Sequence, residues 1–337
     1  MGERRINGFK VIIIGIGGIG EAWVSVIKNF KGWHISGLVG HRKTRVRKIA
    51  QKHGIPLDNI FIDYRTAIRK LDAEAVLIAT PTETHKELIL ESLHAGLHVL
   101  CEKPLATTMI EAKELLKESK KFNLKLMINQ NYRWWKPILE IKNCLEKGVI
   151  GKIGYLNYEF HKCPHFGGWR EKLEEILLRD MTVHHFDLIR YLIGKDCLEV
   201  YADSFKPHWS WFNGNPSASV LLKFEDDIHV NYFGSWVSIG RETSWHGDLK
   251  IVGEKGMICL GSDMKPISAL ENKICKLEKV KMTYSDLKYA LHEFGSSILE
   301  DRLPETNIED NIKTFAISWA AIKSSKEGKP VKITECL

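Results

Sequence analysis

The chain contains no Cys-x-x-Cys pair, and its cysteines number seven, scattered singly from Cys101 to Cys336. An odd, unpaired set excludes a disulfide framework and every recognised zinc spacing. It points to a reducing compartment with buried or incidental thiols. No apolar run approaches the roughly 20 residues of a membrane span, so no membrane partner is expected. The N-terminus reaches a strand-like run within about ten residues, without a cleavable apolar segment, and a cytoplasmic location is expected. Internal repeats and low-complexity tracts are also absent. No long block of like charge forms a tail, and a net charge of +7 favours small anions slightly without requiring nucleic acid.

What is present is an ordinary globular composition over 337 residues, long for one core and comfortable for two domains. Up to about residue 129, short apolar runs alternate with helical patterns. Strands are expected at 9–14, 34–39, 59–62, 75–79, 98–101 and 124–128. Helices are expected at 21–30, 43–53, 64–70, 85–95 and 109–122. Such alternation predicts a parallel sheet covered on both faces, with right-handed crossovers: a doubly wound Rossmann-type domain over 1–129. Beyond 130 the pattern changes. Helices at 136–147 and 179–193 and a strand at 152–163 precede strand-like runs at 198–205, 217–225, 228–238, 247–253 and 256–260. Asp226-Asp227 reads as a hairpin turn. The expectation for 130–337 is an α+β domain with a large, open, mostly antiparallel sheet. A last helix, near 307–325, would pack back on the first domain.

Three motifs carry chemistry. The first is Gly15-Ile16-Gly17-Gly18-Ile19-Gly20, directly after the run Val11–Ile14. Glycine is needed there to bend the chain, to let backbone approach a pyrophosphate, and to seat the following helix close to its strand. The helix N-terminus then offers N–H groups and a positive dipole end to phosphates. Gly15, Gly17, Gly18, Ile19 and Gly20 are the expected cofactor turn. At the end of the second strand, an acid would bond a ribose 2′-OH. This chain has Gly40 at that point, followed by His41, Arg42 and Lys43. These bases favour NADP over NAD, with NAD still open; the plainer alternative is a solvated helix start.

The second motif is Glu102-Lys103-Pro104, and the third is Asp180-x-x-x-His184. Oxidising a carbinol removes a hydride and a proton, so a base must reach the hydroxyl. Neutral histidine suits that near pH 7, and lysine polarises the oxygen and stabilises a developing alkoxide. Asp180, His184 and Asp187 at i, i+4 and i+7 share one face of a regular helix, a face that would point into an interdomain cleft. His185 lies about 100° away and reads as structural. Asp180 has a helix cap or surface role as its alternative, and Asp187 reads as a structural partner.

With Ala79-Thr80-Pro81-Thr82-Glu83-Thr84-His85 between the first two motifs, the chain resembles the glucose-fructose oxidoreductase / inositol dehydrogenase / MocA family. The stretches Gly253-Glu254-Lys255-Gly256, Glu309-Asp310 and Gly328-Lys329-Pro330-Val331 are similar to it as well. The resemblance covers nearly the whole chain. It implies NAD(P)-dependent hydride transfer at a hydroxyl carbon of a sugar, cyclitol or related polyol, and a homodimer or homotetramer formed through the second domain's sheet. It makes Lys103, His184 and Asp180 the catalytic set, with Lys103 also touching cofactor and substrate. Thr80, Pro81, His85 and Glu102 run beside the cofactor, and Trp169-Arg170 resembles a pair that reaches the nicotinamide end. The chain departs from the family before its third motif: Leu173 to Arg179 stands where many members carry a glycine cluster.

Further substrate contacts are expected at Asn131 and Tyr132, which follow the last Rossmann strand, at His161, and at Trp169. Most other aromatics read as core or interface. His161, Cys163 and His165 recur at spacing two and could share a strand face, but no zinc spacing is present and no metal is expected. Two rival readings stay open: a non-catalytic cofactor sensor, and a redox-assisted elimination or hydrolysis with retained cofactor.

Overall fold

The computed structural model describes residues 8–270 and 273–337. The chain divides into two compact units: residues up to Asn131 with Tyr284–Ile312, and Tyr132–Thr283 with Lys313–Leu337. The sequence reading puts the boundary at 129/130 and leaves all of 130–337 in the second domain, whereas in the structure Tyr284–Ile312 belongs with the first.

The first unit begins with β1 (Phe9–Ile14), α1 (Gly18–Lys28), β2 (Trp33–Val39), α2 (Lys43–Lys52), β3 (Ile60–Phe61) and α3 (Tyr64–Lys70). It continues with β4 (Ala75–Ile78), α4 (His85–His94), β5 (His98–Cys101), α5 (Met109–Ser119) and β6 (Leu126–Ile128). The six strands pair in the order β3-β2-β1-β4-β5-β6, and every pair is parallel. Strands buried on both faces read as continuous apolar runs; Val11, Ile12, Ile13 and Ile14 are all buried. The order reverses between β1 and β4. A sheet of this kind opens a crevice at that point, outside the carboxyl ends of its strands. The glycine turn follows β1, Thr80-Pro81 follows β4 and Lys103 follows β5, so three neighbouring strands deliver three of the motifs to one edge.

The second unit opens with α6 (Lys136–Glu146), β7 (Ile153–His161) and α7 (Thr182–Ile193). There follow β8 (Cys197–Phe205), β9 (Ser217–Phe224), β10 (His229–Ser235), β11 (Asp248–Gly253), β12 (Gly256–Leu260), β13 (Ile267–Leu270) and β14 (Lys273–Lys276). After the return segment with α8 (Asp286–Leu299) come α9 (Ile308–Glu327) and β15 (Val331–Lys332). The sheet order is β14-β13-β12-β11-β7-β10-β9-β8-β15. Only β7 and β10 pair in parallel. Alternation fixes its faces: on β9, Ala218, Val220, Leu222 and Phe224 are buried while Leu221 is 54% exposed. The expected Asp226-Asp227 turn joins β9 to β10, with both residues at φ 57°.

Two differences from the sequence reading bear on the site. The helix expected over 179–193 becomes regular only at Thr182, because Leu177–Met181 forms one wider π-helical turn. Asp180 therefore lies in the π turn, and His184 in the regular helix that follows it. No element is expected over 286–299, yet α8 forms there and packs Phe294 on Trp33 at 5.9 Å. Beyond it, the Thr306 hydroxyl donates to the Ile128 carbonyl at 2.6 Å, so this stretch lies along β6. Among the described residues no helix is long and apolar enough to cross a membrane.

Candidate active site

The glycine turn is built as its spacing demands. Gly15 has φ 96°, and a Cβ on Gly20 would stand 1.9 Å from the Gly15 carbonyl oxygen. Strand and helix therefore approach more closely than any side chain permits. Around Gly17 and Gly18 the opposite holds: an added Cβ would meet nothing within 4 Å. Gly17 caps α1 without a side-chain hydrogen bond, which leaves the first-turn N–H groups available to an anion. Open space beside such amides fits a dinucleotide pyrophosphate. Ile19, 42% exposed, borders it.

Lys103 is half-buried and follows β5, and the Lys103–Pro104 peptide is cis. The ring of His85, fully buried, ties this turn to the one after β4. Nδ1 lies 2.9 Å from the Pro104 carbonyl oxygen and Nε2 3.1 Å from that of Thr80. Burial holds its pKa below the ordinary histidine value. The neutral ring carries one N–H, so it donates to one of these carbonyls and packs against the other, between the two loops. Glu102 turns inward: Trp23 Nε1 and Asn129 Nδ2 donate to its Oε1 at 2.7 and 2.9 Å. Burial raises its pKa, against the lowering effect of both donors. Pro81 is exposed and Thr80 half-buried. Asn131, expected to meet substrate, donates its amide to Asp286 at the start of α8.

His41, Arg42 and Lys43 are all exposed at the carboxyl end of β2. Beside them lies a cavity of about 550 Å³, lined by Glu21, Arg42, Thr44, Arg45, Lys48, Ile49 and Lys52. Its single carboxylate, Glu21, is paired with Lys52 at 2.7 Å. Arg45 and Lys48, one turn apart on α2, are the cations that motif reading missed. Their signal is the i, i+3 spacing after Arg42, which turns both toward one groove.

In the second unit, His184 is buried on α7 and stacks on the half-buried ring of Tyr132, centroids 4.2 Å apart and planes 7° apart. The next residue, Arg133, forks onto Asp187 at 2.6 and 2.7 Å. Consecutive residues thus grip α7 one turn apart. Asp180, in the wider turn, accepts from Arg170 Nε at 3.0 Å. The Arg170 guanidinium lies 4.6 Å from the ring of Trp169, which is 57% exposed. His185 is structural, as expected: its nitrogens face the Tyr232 hydroxyl at 3.0 Å and the Trp245 carbonyl at 3.1 Å.

His161 faces Ser238 Oγ at 2.9 Å through Nδ1, and His165 stacks on Trp211 at 3.9 Å. The set His161, Cys163 and His165 does not assemble, and no group of three metal-ligating side chains occurs among the described residues. His246, which no motif reading singles out, also stacks on Tyr132, at 4.3 Å.

Two family models match the two parts of the sequence. Residues 9–130 match the model described as an oxidoreductase family with an NAD-binding Rossmann fold, and residues 138–259 match the GFO/IDH/MocA C-terminal domain. The myo-inositol 2-dehydrogenase of Thermotoga maritima is 24% identical over 342 residues, covering 97% of this chain and 99% of the relative. The 1,5-anhydro-D-fructose reductase of Ensifer adhaerens is 24% identical over 331 residues, covering 95% and 97%. An Agrobacterium radiobacter oxidoreductase, solved with NAD+, L-tartaric acid and magnesium, shares the fold with a TM-score of 0.90 at 22% identity. That match covers 98% of this chain and 99% of the other. Both halves of the sequence thus match models of one family, and the chain belongs to it: it is an NAD-binding oxidoreductase of the GFO/IDH/MocA family.

Proposed function

We propose that the protein is an NADP-preferring oxidoreductase that transfers a hydride between nicotinamide and a hydroxyl-bearing carbon of a sugar, cyclitol or related polyol. The observation that carries this reading is the position of Lys103. It follows β5, at the same sheet edge as the glycine turn after β1, with β4 alone between those two strands. Relatives named as inositol and apiose dehydrogenases supply the substrate class.

When bound, the nicotinamide supplies the hydride acceptor or donor. The chain's own residues do the rest. The amides of Gly17 and Gly18 and the N-terminus of α1 hold the pyrophosphate. Lys103 polarises the substrate oxygen and favours alkoxide. His184 takes the hydroxyl proton in oxidation and returns it in reduction. Asp180 with Arg170, and Trp169 beside them, orient the substrate's remaining hydroxyls.

NADP preference follows from charge. Gly40 removes the acid that would repel a 2′-phosphate, while Arg42, Arg45 and Lys48 offer cations to one. A charged hydrogen bond of this kind contributes about 1.5–3 kcal/mol, or roughly ten- to a hundredfold in affinity. Fluorescence titration of the purified protein with NADPH and NADH tests it. NADPH is expected to bind more tightly, and Arg42→Ala, at an exposed position, is expected to weaken NADPH about tenfold or more while leaving NADH alone. Tighter NADH binding, or no effect of Arg42→Ala, overturns the preference.

A further inference from the structure

The stack on Tyr132 has a third ring. His246 lies in the connector between β10 and β11, is only 3% exposed, and meets Tyr132 at 4.3 Å with planes 30° apart. Trp135 closes on its edge at 4.6 Å. The turn that presents it is pinned by backbone: Tyr158 OH donates to the His246 carbonyl, and the His246 N–H donates to Ser244 Oγ at 3.1 Å. Its Nε2 is buried and makes no hydrogen bond among the described residues. Through its stacked ring the side chain enters the site as an aromatic face.

We propose that His246 is a positioning residue for His184, acting through the ring of Tyr132. The inference rests on the reading of His184 as the acid–base group. A tyrosine stacked on by two rings is restrained from turning, and at 7° it sets the plane of the imidazole it covers. A cation over an aromatic face is favoured, so the stack raises the proton affinity of His184 at the step in which it becomes imidazolium. On its own helix, Asp187 is neutralised by Arg133 from the Tyr132 segment, and Asp180 is met by Arg170. The imidazole of His185 faces Tyr232 and Trp245. His246 stays neutral at working pH, because burial pushes its own pKa to about 4, and so it does not compete for the tyrosine face as a second cation.

The test is the NMR titration of imidazole 13Cε1 in the full chain, with the His184 signal assigned by its loss in His184→Gln. His246→Leu, which removes the third ring, is expected to lower the His184 pKa by about half a pH unit or more. His246→Phe, which keeps a ring there, should restore the wild-type value. Tyr132→Leu should lower it as His246→Leu does, and it reports on the relay even if the leucine at 246 disturbs folding. An unmoved His184 in both leucine variants, or an equal fall in His246→Phe, overturns the proposal. The titration needs no substrate. Full polyol turnover by His184→Ala would remove the acid–base reading itself, whereas an inactive His184→Ala with an unmoved titration removes only the role of His246.

Discussion

Lys103 gains its chemistry from where its peptide is held. The backbone of the turn is tied through Pro104 to His85 and through His85 to Thr80. The preceding residue, Glu102, is locked inward by Trp23 and Asn129. The half-buried lysine is thus set on a turn fixed on two sides, in the manner a preorganised electrostatic group requires. Lys103→Met keeps most of the stem and removes the ammonium. Turnover on any polyol the wild type oxidises is expected to fall about a hundred- to a thousandfold, with NADPH affinity changed far less. Steady-state kinetics beside a cofactor titration checks this, and undiminished kcat would remove Lys103 from the mechanism. At this scale the lysine, the glycines and the histidine of the third motif were legible as candidates, because each belongs to a short motif with a chemical reason. It did not show His246 or Arg45. The role of His246 depends on a ring 114 positions away, which no local spacing encodes; Arg45 carries the i, i+3 spacing after Arg42, but the groove it faces is shared with α1.

The element that matters most beyond the Rossmann edge is α7, and its hold is ionic. Arg133 and Asp187 are 6% and 1% exposed, bond twice, and are joined by the Thr314 hydroxyl, which donates to Asp187 at 3.2 Å. Breaking a buried pair leaves a charge without solvent or partner, at a cost of about 3–5 kcal/mol. Arg133→Met is therefore expected to destabilise the fold by that amount. The double variant Arg133→Met/Asp187→Leu should recover much of it, since replacing a whole pair by apolar groups is far less costly. Denaturant unfolding of the three proteins decides, and a double variant no better than the single would make Arg133 a packing residue only. Element reading from the sequence was good wherever one period ran unbroken, as in the parallel strands and in β9 and β10. It failed at two places for physical reasons. The π turn at Leu177–Met181 inserts a residue without changing the apolar pattern, so the start of the regular helix at Thr182 was not legible. No element is expected over α8, whose pattern is interrupted by Gly295-Ser296-Ser297, yet Gly295 is the point where that helix meets Trp33, 3.3 Å from where its Cβ would sit.

For the molecule as a whole, buried titratable groups act against one another as pH changes. His246 in one unit and His85 in the other are both held below the ordinary histidine value of 6.5 by burial, His246 at about 4. Between those values the unfolded chain binds protons that the folded chain refuses. The contribution of His246 is therefore fully present above pH 6.5 and is lost as pH falls toward 4, and that of His85 is lost in the same direction. Glu102 runs the other way: its raised pKa contributes stability below about 4.5 that is lost as pH rises through the folded value. The net slope for the wild type mixes these terms, so the informative quantity is a difference between two proteins that share all but one of them. His246→Phe removes one histidine and keeps a ring in its place. Between pH 7 and pH 5 the wild type should lose about 2 kcal/mol more than this variant, from a shift of roughly 2.5 pKa units at 1.36 kcal/mol each, only partly expressed at pH 5. Urea unfolding at the two pH values, followed through the transition of the second unit, measures that difference. Equal losses in the two proteins would mean that the imidazole at 246 takes up its proton in the folded state as readily as in the unfolded one, and burial would then not be what holds it neutral beside Tyr132.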